Sequence, residues 1–193
     1  NVSPKFAATY NFNDNFSGYA SYSKGFRAPT YYEFNGNFSS STRRYRVVSN
    51  PNLKAETSDG YEVGLRGNTN KAKFKISAFV NKYSNFIQQF VGATNTSGGA
   101  FNGYTDYKSI NVEKAEISGY EFSYKYFLKD NREGINLFTN LAYSEGDNTT
   151  DNVPLTSINP FEIKYGIGFN SANNKFSSKL TNTHVAKARV ASG

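Results

Sequence analysis

The sequence alternates apolar and polar residues along most of its length, and this period restricts the fold more than any other feature. In the clearest segment, every second residue from Phe161 to Phe169 is aromatic or isoleucine, and the residues between them are polar or glycine. Successive side chains of a β-strand point to opposite faces of a sheet, so this segment has one apolar and one wet face. We therefore predict an all-β chain.

The same period predicts about eight strands, and no helix stands out between them. Apolar or small residues recur at every second position in the other segments, with few exceptions. These positions are Phe6, Ala8, Tyr10 and Phe12; Phe16, Gly18, Ala20 and Tyr22; Tyr61, Val63 and Leu65; Phe74, Ile76, Ala78 and Val80; Tyr120, Phe122, Tyr124, Tyr126 and Leu128; Ile135, Leu137, Leu141 and Tyr143; and, more weakly, Phe176 and Leu180.

The connections between the predicted strands alternate in length. Short turns are expected near residues 13, 69, 131 and 173, and long loops over 27–55, 91–109 and 147–159. A soluble meander gives no reason for this alternation, whereas outer-membrane barrels have short periplasmic turns and long extracellular loops. Each strand is expected to exceed the roughly 9 to 11 residues that cross a bilayer at a tilt. We therefore predict antiparallel strands of a transmembrane β-barrel.

The composition fits a barrel wall better than a soluble core. Aromatic residues make up 17% of the chain, Trp and Met are absent, and the mean hydropathy is −0.63. A soluble core built from aliphatic side chains is not expected from these values. No apolar run approaches the ~20 residues of a membrane helix, so a chain that crosses a membrane would cross it with strands.

The net charge of +7, from 22 Lys and Arg against 15 Asp and Glu, raises the question of nucleic acid. The basic residues are scattered, whereas binding to a phosphate backbone favours dense runs or one basic stripe. We therefore predict no nucleic-acid partner. The absence of cysteine excludes disulfides, thiolate metal sites and Cys nucleophiles, and agrees with a bacterial envelope protein.

No group of residues predicts catalysis. His184, the only histidine, lies on the weak last strand, and nothing in the sequence indicates a partner for it. We interpret it as a residue of the barrel wall or rim rather than a member of a Ser-His-Asp triad. The sequence therefore predicts no enzyme activity.

The informative stretch is a pair of motifs on either side of the first long loop. Phe26, Arg27, Ala28 and Pro29 end the second predicted strand, and Asn50, Pro51, Asn52, Leu53 and Glu56 precede the third. This pair resembles the paired motif of TonB-dependent outer-membrane receptors, and specifically of their haem and haemoglobin receptor branch. Residues 1–10 and 154–160 are also similar to that family, so the resemblance covers nearly the whole chain.

The resemblance implies a larger parent protein. The family has a barrel of about 22 strands around an N-terminal plug, with an energy-coupling TonB box ahead of the plug. Residues 1–193 would be a partial barrel domain from the second half of that barrel, without the plug, the TonB box and the final strands. The chain shows no signal peptide, which agrees with an internal piece. The implied location is the outer membrane of a Gram-negative bacterium.

The two motifs also have a local physical reading. Pro29 fixes φ and removes a donor where the strand leaves the sheet, and Asn50-Pro51 turns the chain back. Arg27 lies beneath the loop, where we expect it to anchor the loop to a carboxylate such as Glu33 or Glu56. We therefore predict a structural role for the motif residues rather than direct contact with a ligand.

The loop between the motifs holds the candidate ligand residues. Related haem receptors offer a histidine to the iron there, but this loop contains none. Because tyrosinate is also a haem axial ligand, Tyr31, Tyr32 or Tyr45 is a candidate for the iron. The alternatives are that the iron is held elsewhere, that the ligand is not haem, or that these tyrosines belong to the aromatic girdle of a barrel.

Three arginines lie in the same loop. Arg43, Arg44 and Arg46 could clasp haem propionates, or acidic patches of a host protein, through paired hydrogen bonds. A solvated cationic loop in contact with lipopolysaccharide explains them equally well.

The resemblance implies a transporter that captures haem or a host haem protein, with haem as cargo and not as a catalytic cofactor. Its other partners would be outer-membrane lipid and the TonB complex, through the missing N-terminal region. A receptor for a ferric siderophore or another nutrient is the first alternative. A self-contained eight-stranded adhesin or anchor barrel is the second, and a basic soluble β-protein is the third.

Overall fold

The computed structural model describes residues 2–155, 158, 161–172 and 175–187. Its elements follow in chain order. They are β1 (Lys5–Asn11), β2 (Phe16–Arg27), α1 (Tyr31–Asn35), β3 (Phe38–Ser40), β4 (Tyr45–Val48), β5 (Glu56–Asn68), β6 (Ala72–Thr94), a 3₁₀ turn (Gly99–Phe101), β7 (Thr105–Phe127), β8 (Gly134–Asn148), β9 (Val153–Pro154), β10 (Phe161–Asn170) and β11 (Ser177–Val185).

Eight of these strands form the main path of one antiparallel sheet. Their spatial order is β1-β2-β5-β6-β7-β8-β10-β11, so each main strand pairs with the neighbouring main strands in the chain. Tight polar turns make this possible: Asn13 accepts hydrogen bonds from the backbone N–H groups of Asn15 and Phe16, and Thr69 closes the turn before Ala72. The predicted all-β class and the eight main strands are confirmed.

The register of the sheet places the predicted apolar residues on one face. Along one cross-strand row, Ala20 pairs with Val63, Val63 with Ala78, Ala78 with Tyr120, and Tyr120 with Tyr143. A shift of one residue in any strand would turn its apolar side chains to the other face. Val63 is 58% exposed and Tyr120 is 49% exposed. The sheet therefore carries a broad apolar face that nothing in the described chain covers.

The opposite face is polar and contains ion pairs. Lys75 lies 3.6 Å from the carboxylates of both Glu62 and Glu121, which flank it on the neighbouring strands. The Tyr19 hydroxyl donates to Glu62, and the Arg66 guanidinium lies 4.3 Å from the centroid of the Tyr19 ring. These contacts confirm the wet face expected from the alternation. We call it the wet face below.

The sheet is open along both outer edges. In the described part of the chain, β1 pairs only with β2, and β11 pairs only with β10. Both strands therefore present unpaired backbone N–H and C=O groups.

The structure differs from the sequence prediction in the connections. The first long loop contains the helix α1 and the hairpin β3–β4, and β4 pairs in parallel with β7. The loop expected over 91–109 is shortened to residues 95–104, because β6 and β7 each extend over 23 residues. The loop expected over 147–159 is shortened by β8 and contains β9. The prediction that each strand exceeds the length of a tilted crossing is wrong for β1, which has 7 residues, and for β11, which has 9. The turn predicted near 173 centres on residues outside the described ones.

The departures have one physical cause. Polar loop residues with no period of their own are held by partners far away in the chain, which local patterning does not reveal. A small apolar cluster supports these outer segments: Val112, Ala115 and Leu155 are buried and pack against Tyr83 and Ile117. In the described part of the chain, no helix has the length and apolar character that a membrane crossing requires.

We predict that Val63→Arg lowers the free energy of unfolding by about 2–4 kcal/mol in lipid, because the arginine would project from the apolar face. The matched control is Ser21→Arg. Ser21 pairs with Glu62 on the wet face, so a change of about 0.5 kcal/mol or less is expected there. Urea unfolding of the full-length receptor in lipid vesicles measures both. Equal losses from the two variants would contradict the assignment of the faces.

Candidate functional site

Arg27 joins four segments at the base of the first long loop. Its guanidinium lies 3.0 Å from Oε1 and 3.1 Å from Oε2 of Glu33 on α1. It also donates to Glu56 at the start of β5 and to the backbone carbonyl of Ile87 on β6, both at 3.4 Å. Glu56 in turn accepts a hydrogen bond of 2.8 Å from the Ile87 N–H. We call Arg27, Glu33 and Glu56 the arginine anchor.

Both carboxylates of this anchor are buried, and Glu33 is the more deeply buried of the two. Thr30 caps α1 by accepting from the Glu33 N–H, while Glu33 accepts from the Thr30 N–H at 2.7 Å, so the two form a capping box. Gln89 on β6 donates to Glu33 at 2.6 Å. Burial alone would raise the pKa of Glu33, but the hydrogen bonds from Thr30, Gln89 and Arg27 outweigh it and lower the pKa to about 2.

The second motif is bound to β7. The Asn50 side chain donates to the carbonyl of Ser109 at 2.8 Å, and its oxygen accepts from the Asn52 N–H. Asn111 accepts from the Lys54 N–H and donates to the Lys54 carbonyl. Leu53 is buried. The motif thus turns the chain back into β5 against a neighbouring strand.

The hairpin β3–β4 is fastened to β7 by a bidentate ion pair. Arg46 Nε lies 2.6 Å from Asp106 Oδ1, and Arg46 Nη2 lies 2.8 Å from Asp106 Oδ2. Asn95 donates to the same carboxylate at 3.2 Å. The hydrogen bond from Arg46 is the main reason that the pKa of Asp106 is lowered. The planar fork of Arg46 is therefore occupied by a protein carboxylate.

Arg43, Arg44 and Tyr45 lie in the same loop as Arg46 but have other surroundings. Arg44 lies over the ring of Tyr104, with 5.8 Å from its guanidinium carbon to the centroid, and Arg43 is exposed. Tyr45 packs between the rings of Phe38 and Tyr107.

Tyr31 and Tyr32 stand out from the rest of the loop. They are 74% and 81% exposed, and their ring centroids are 6.0 Å apart in an edge-to-face arrangement. The structure therefore groups Tyr31 with Tyr32 at the surface of α1 and places Tyr45 in a separate aromatic cluster.

Sequence reasoning anticipated the contact of Arg27 with Glu33 and Glu56, and the structure shows both. It missed Gln89, Asp106 and Asn111, which lie more than 50 residues from their partners Glu33, Arg46 and Lys54. No local spacing signals such contacts. His184 lies exposed on β11 opposite Ile163. In the described part of the chain, no three His, Cys, Asp or Glu residues form a group that could hold a metal ion.

Comparison with known proteins identifies the family. The family described as TonB dependent receptor-like, beta-barrel matches residues 1–192. The chain belongs to this family. TonB-dependent receptors are transport receptors of the outer membrane in Gram-negative bacteria, which places this chain in that membrane.

Its relatives include proteins named for haemoglobin. A probable hemoglobin and hemoglobin-haptoglobin-binding protein 4 of Haemophilus influenzae is 29% identical over 88% of this chain and 18% of its own length. Hemoglobin-haptoglobin utilization protein B of Neisseria meningitidis serogroup A is 28% identical over 86% of this chain and 22% of its own length. The chain thus spans about a fifth of the length of these relatives.

Solved structures show the same fold. The siderophore receptor PirA of Pseudomonas aeruginosa superposes with a TM-score of 0.71 at 22% identity, covering 98% of this chain and 34% of PirA. At this identity the likeness concerns the fold alone. The chain therefore shares its fold with a receptor that is named for a siderophore, whereas the relatives above are named for haemoglobin.

We predict that Glu33→Gln opens the loop over residues 28–55 at neutral pH. The folded-state pKa of about 2 lies below the ordinary 4.5, so the ionised carboxylate stabilises the loop above about pH 4.5 and this stabilisation is lost as the pH falls towards 2. The shift corresponds to on the order of 3 kcal/mol. Trypsin cleavage at Arg43, Arg44 or Lys54 of the full-length receptor should accelerate by about tenfold or more.

The control for this variant is Glu113→Gln, which removes an exposed carboxylate from β7. It should leave the cleavage rate unchanged. With pepsin, the unsubstituted loop should lose protection between pH 4.5 and pH 2, whereas the Glu33→Gln loop should already be open at the upper limit. Identical digestion of all three proteins would exclude the proposed role of Glu33.

Proposed function

We propose that the chain is a sector of an outer-membrane active-transport receptor that binds haem or haem proteins at its extracellular loops. Energy for import would come from the TonB complex, acting through the part of the receptor ahead of this chain. The observation that carries this proposal is the combination of a two-faced open sheet with relatives that are named for haemoglobin.

The open sheet supports a larger barrel. In lipid, unpaired strand edges are not tolerated, so a sheet with an apolar face must close. Strands β1 and β11 each lack a second partner among the described residues, which argues against a self-contained eight-stranded adhesin or anchor barrel. Continuation on both sides would give the barrel of about 22 strands that encloses a plug in outer-membrane transporters. The apolar face would then meet lipid and the wet face the lumen.

Sidedness follows from the turns. The short turns after β1, β5 and β7 lie at one end of the sheet. The other end carries α1, the hairpin β3–β4 and the paired outer parts of β6 and β7. By the rule for outer-membrane barrels, the end with the longer segments is extracellular. The arginine anchor would therefore hold the extracellular segments in a fixed position from which they meet the ligand.

Tyr31 and Tyr32 are the better candidates for the haem iron. Both are exposed on α1, and α1 is held in place through Glu33. Tyr45 is a weaker candidate, because its ring packs between Phe38 and Tyr107 and would have to leave them to reach an iron atom. A tyrosinate ligand would account for a haem receptor loop without histidine.

The arginines divide in the same way. Arg43 and Arg44 remain candidates for haem propionates or for acidic patches on a host protein. Arg46 would first have to release Asp106, so it is better suited to stabilising the loop than to binding a ligand.

The motif residues keep the proposed structural role. They are Phe26, Arg27, Ala28, Pro29, Asn50, Pro51, Asn52, Leu53 and Glu56. The transported haem undergoes no covalent change in this scheme, so we expect no enzyme activity.

A receptor for a ferric siderophore or another nutrient is the second candidate. It is favoured by the absence of histidine from residues 27–55. A Soret shift separates the two candidates, because a ferric siderophore contains no porphyrin.

We predict that the full-length receptor in detergent binds haem saturably, with a shift of the Soret band. Tyr31→Phe or Tyr32→Phe should weaken the binding about tenfold or more, because the axial oxygen is removed while the ring stays. Tyr45→Phe is the matched control and should bind normally. No shift at all would favour the siderophore receptor, and an equal shift in all four proteins would place the iron elsewhere.

A second test concerns uptake in the cell. Deleting the gene of the full-length receptor should abolish or strongly slow growth when haem or haemoglobin is the sole iron source. Growth on an inorganic iron salt is the control and should not change. Unaffected growth on haem would count against haem transport by this receptor.

A further inference from the structure

The wet face holds lysines that repel one another near the short turns. Lys73 on β6 and Lys125 on β7 are direct cross-strand partners. Like charges directly opposite each other destabilise a strand pair. Lys179 on β11 adds a third charge, and both Lys73 and Lys179 repel Lys125. We call these three residues the lysine floor.

The lysine floor differs from the rest of the wet face. Lys75 lies between Glu62 and Glu121, and Lys164 is paired with Glu162. By contrast, the residues that the structure describes provide no salt bridge to any lysine of the floor. Among the described residues, the lysine floor has no counterpart to the carboxylates that pair with Lys75 and Lys164.

Two buried phenylalanines hold the lysines in position. Lys125 Nζ lies 5.1 Å from the ring centroid of Phe127, and Lys179 Nζ lies 3.9 Å from that of Phe138. Phe127 is 4% exposed and Phe138 is 8% exposed. The aromatic faces attract the cations but carry no net charge, so the floor keeps its positive charge.

A cavity of about 380 Å³ lies on this surface. Its lining includes Lys125, Lys179, Asn140 and Asn136. Asn136 is only 1% exposed, and its Nδ2 has no acceptor among the described residues. A buried amide donor without an acceptor is costly, so its presence beside two lysines points to an acceptor that comes from outside the described residues.

We propose that the lysine floor binds the carboxylates of an acidic polypeptide segment from the part of the receptor outside residues 1–193. The three cations lie on β6, β7 and β11, with β8 and β10 between the last two, so their strands span about 19 Å of the sheet. This width suits several carboxylates better than one phosphate. The amides of Asn136 and Asn140 can donate to carboxylate or peptide oxygens. Because these relatives are about four to five times as long as this chain, most of the receptor is available to supply the segment.

The proposal depends on the position of the sheet in a receptor wall and not on haem as the ligand. It therefore survives if the receptor proves to transport a siderophore, and it can fail while haem binding succeeds.

Zero-length carbodiimide cross-linking of the full-length receptor in outer-membrane vesicles tests it. The reagent joins a lysine amine to a carboxylate that touches it, and mass spectrometry identifies the pair. We expect Lys73, Lys125 or Lys179 to be linked to Asp or Glu outside residues 1–193. Lys75 is the internal control and should be linked to Glu62 or Glu121. Links from Lys75 alone, or links from the floor only to residues within 1–193, would overturn the proposal.

A second measurement uses Lys125→Gln. With an acidic segment bound, the variant loses an attraction, so the melting temperature of the full-length receptor falls. Without one, it relieves the repulsion by Lys73 and Lys179, so the melting temperature is unchanged or rises, which would overturn the proposal. The probe for a small anion is inorganic phosphate. A rise in melting temperature with phosphate in the unsubstituted receptor, absent in Lys125→Gln, would also overturn it, because the floor would then be empty.

Discussion

The hydrogen-bonded register between neighbouring strands is the constraint on which the whole structure depends. Each main strand alternates its side chains, and one residue of slip would turn a lysine such as Lys75 towards the apolar side and a residue such as Val63 towards the wet side. In a membrane this exchange is very costly, since a charge in hydrocarbon and an unpaired backbone group both carry a large penalty. The eight aligned strands thus define two environments with no buried centre between them.

At the end of the sheet that carries α1 and the hairpin β3–β4, side-chain ion pairs add a second constraint to the strand register, which there includes the pairing of β4 with β7. The outer segments have no apolar period, so they are held by specific polar contacts of Arg27, Glu33 and Glu56 and by the pair of Arg46 with Asp106. Such contacts hold α1 against β6 and the hairpin β3–β4 against β7. In the proposed receptor, this order would reduce the conformational entropy lost when a ligand binds.

Much of the fold could be predicted from the period of the sequence, since a two-residue repeat acts on every strand independently of its neighbours. The apolar faces and most of the turns followed from it. The receptor family was indicated separately, by the resemblance of the paired motif. The candidate site was predictable only in part. The contact of Arg27 with Glu33 spans 6 residues and its contact with Glu56 spans 29, and the second motif marks where the chain returns to the sheet. The contacts of Gln89, Asp106 and Asn111 span 56 to 60 residues and carry no local signal.

The sequence by itself determined the strand class, the two faces and the receptor family, because alternation and short motifs are read one strand or one turn at a time. Only the tertiary structure decided that α1 forms in the first loop, that Tyr31 and Tyr32 are exposed while Tyr45 is packed, and that Arg46 is occupied by Asp106. It also placed Lys73 opposite Lys125 and brought Lys179 to them. These outcomes depend on which distant segments of the chain the sheet brings side by side. Those neighbours decide whether a charged or aromatic side chain is exposed, packed or paired.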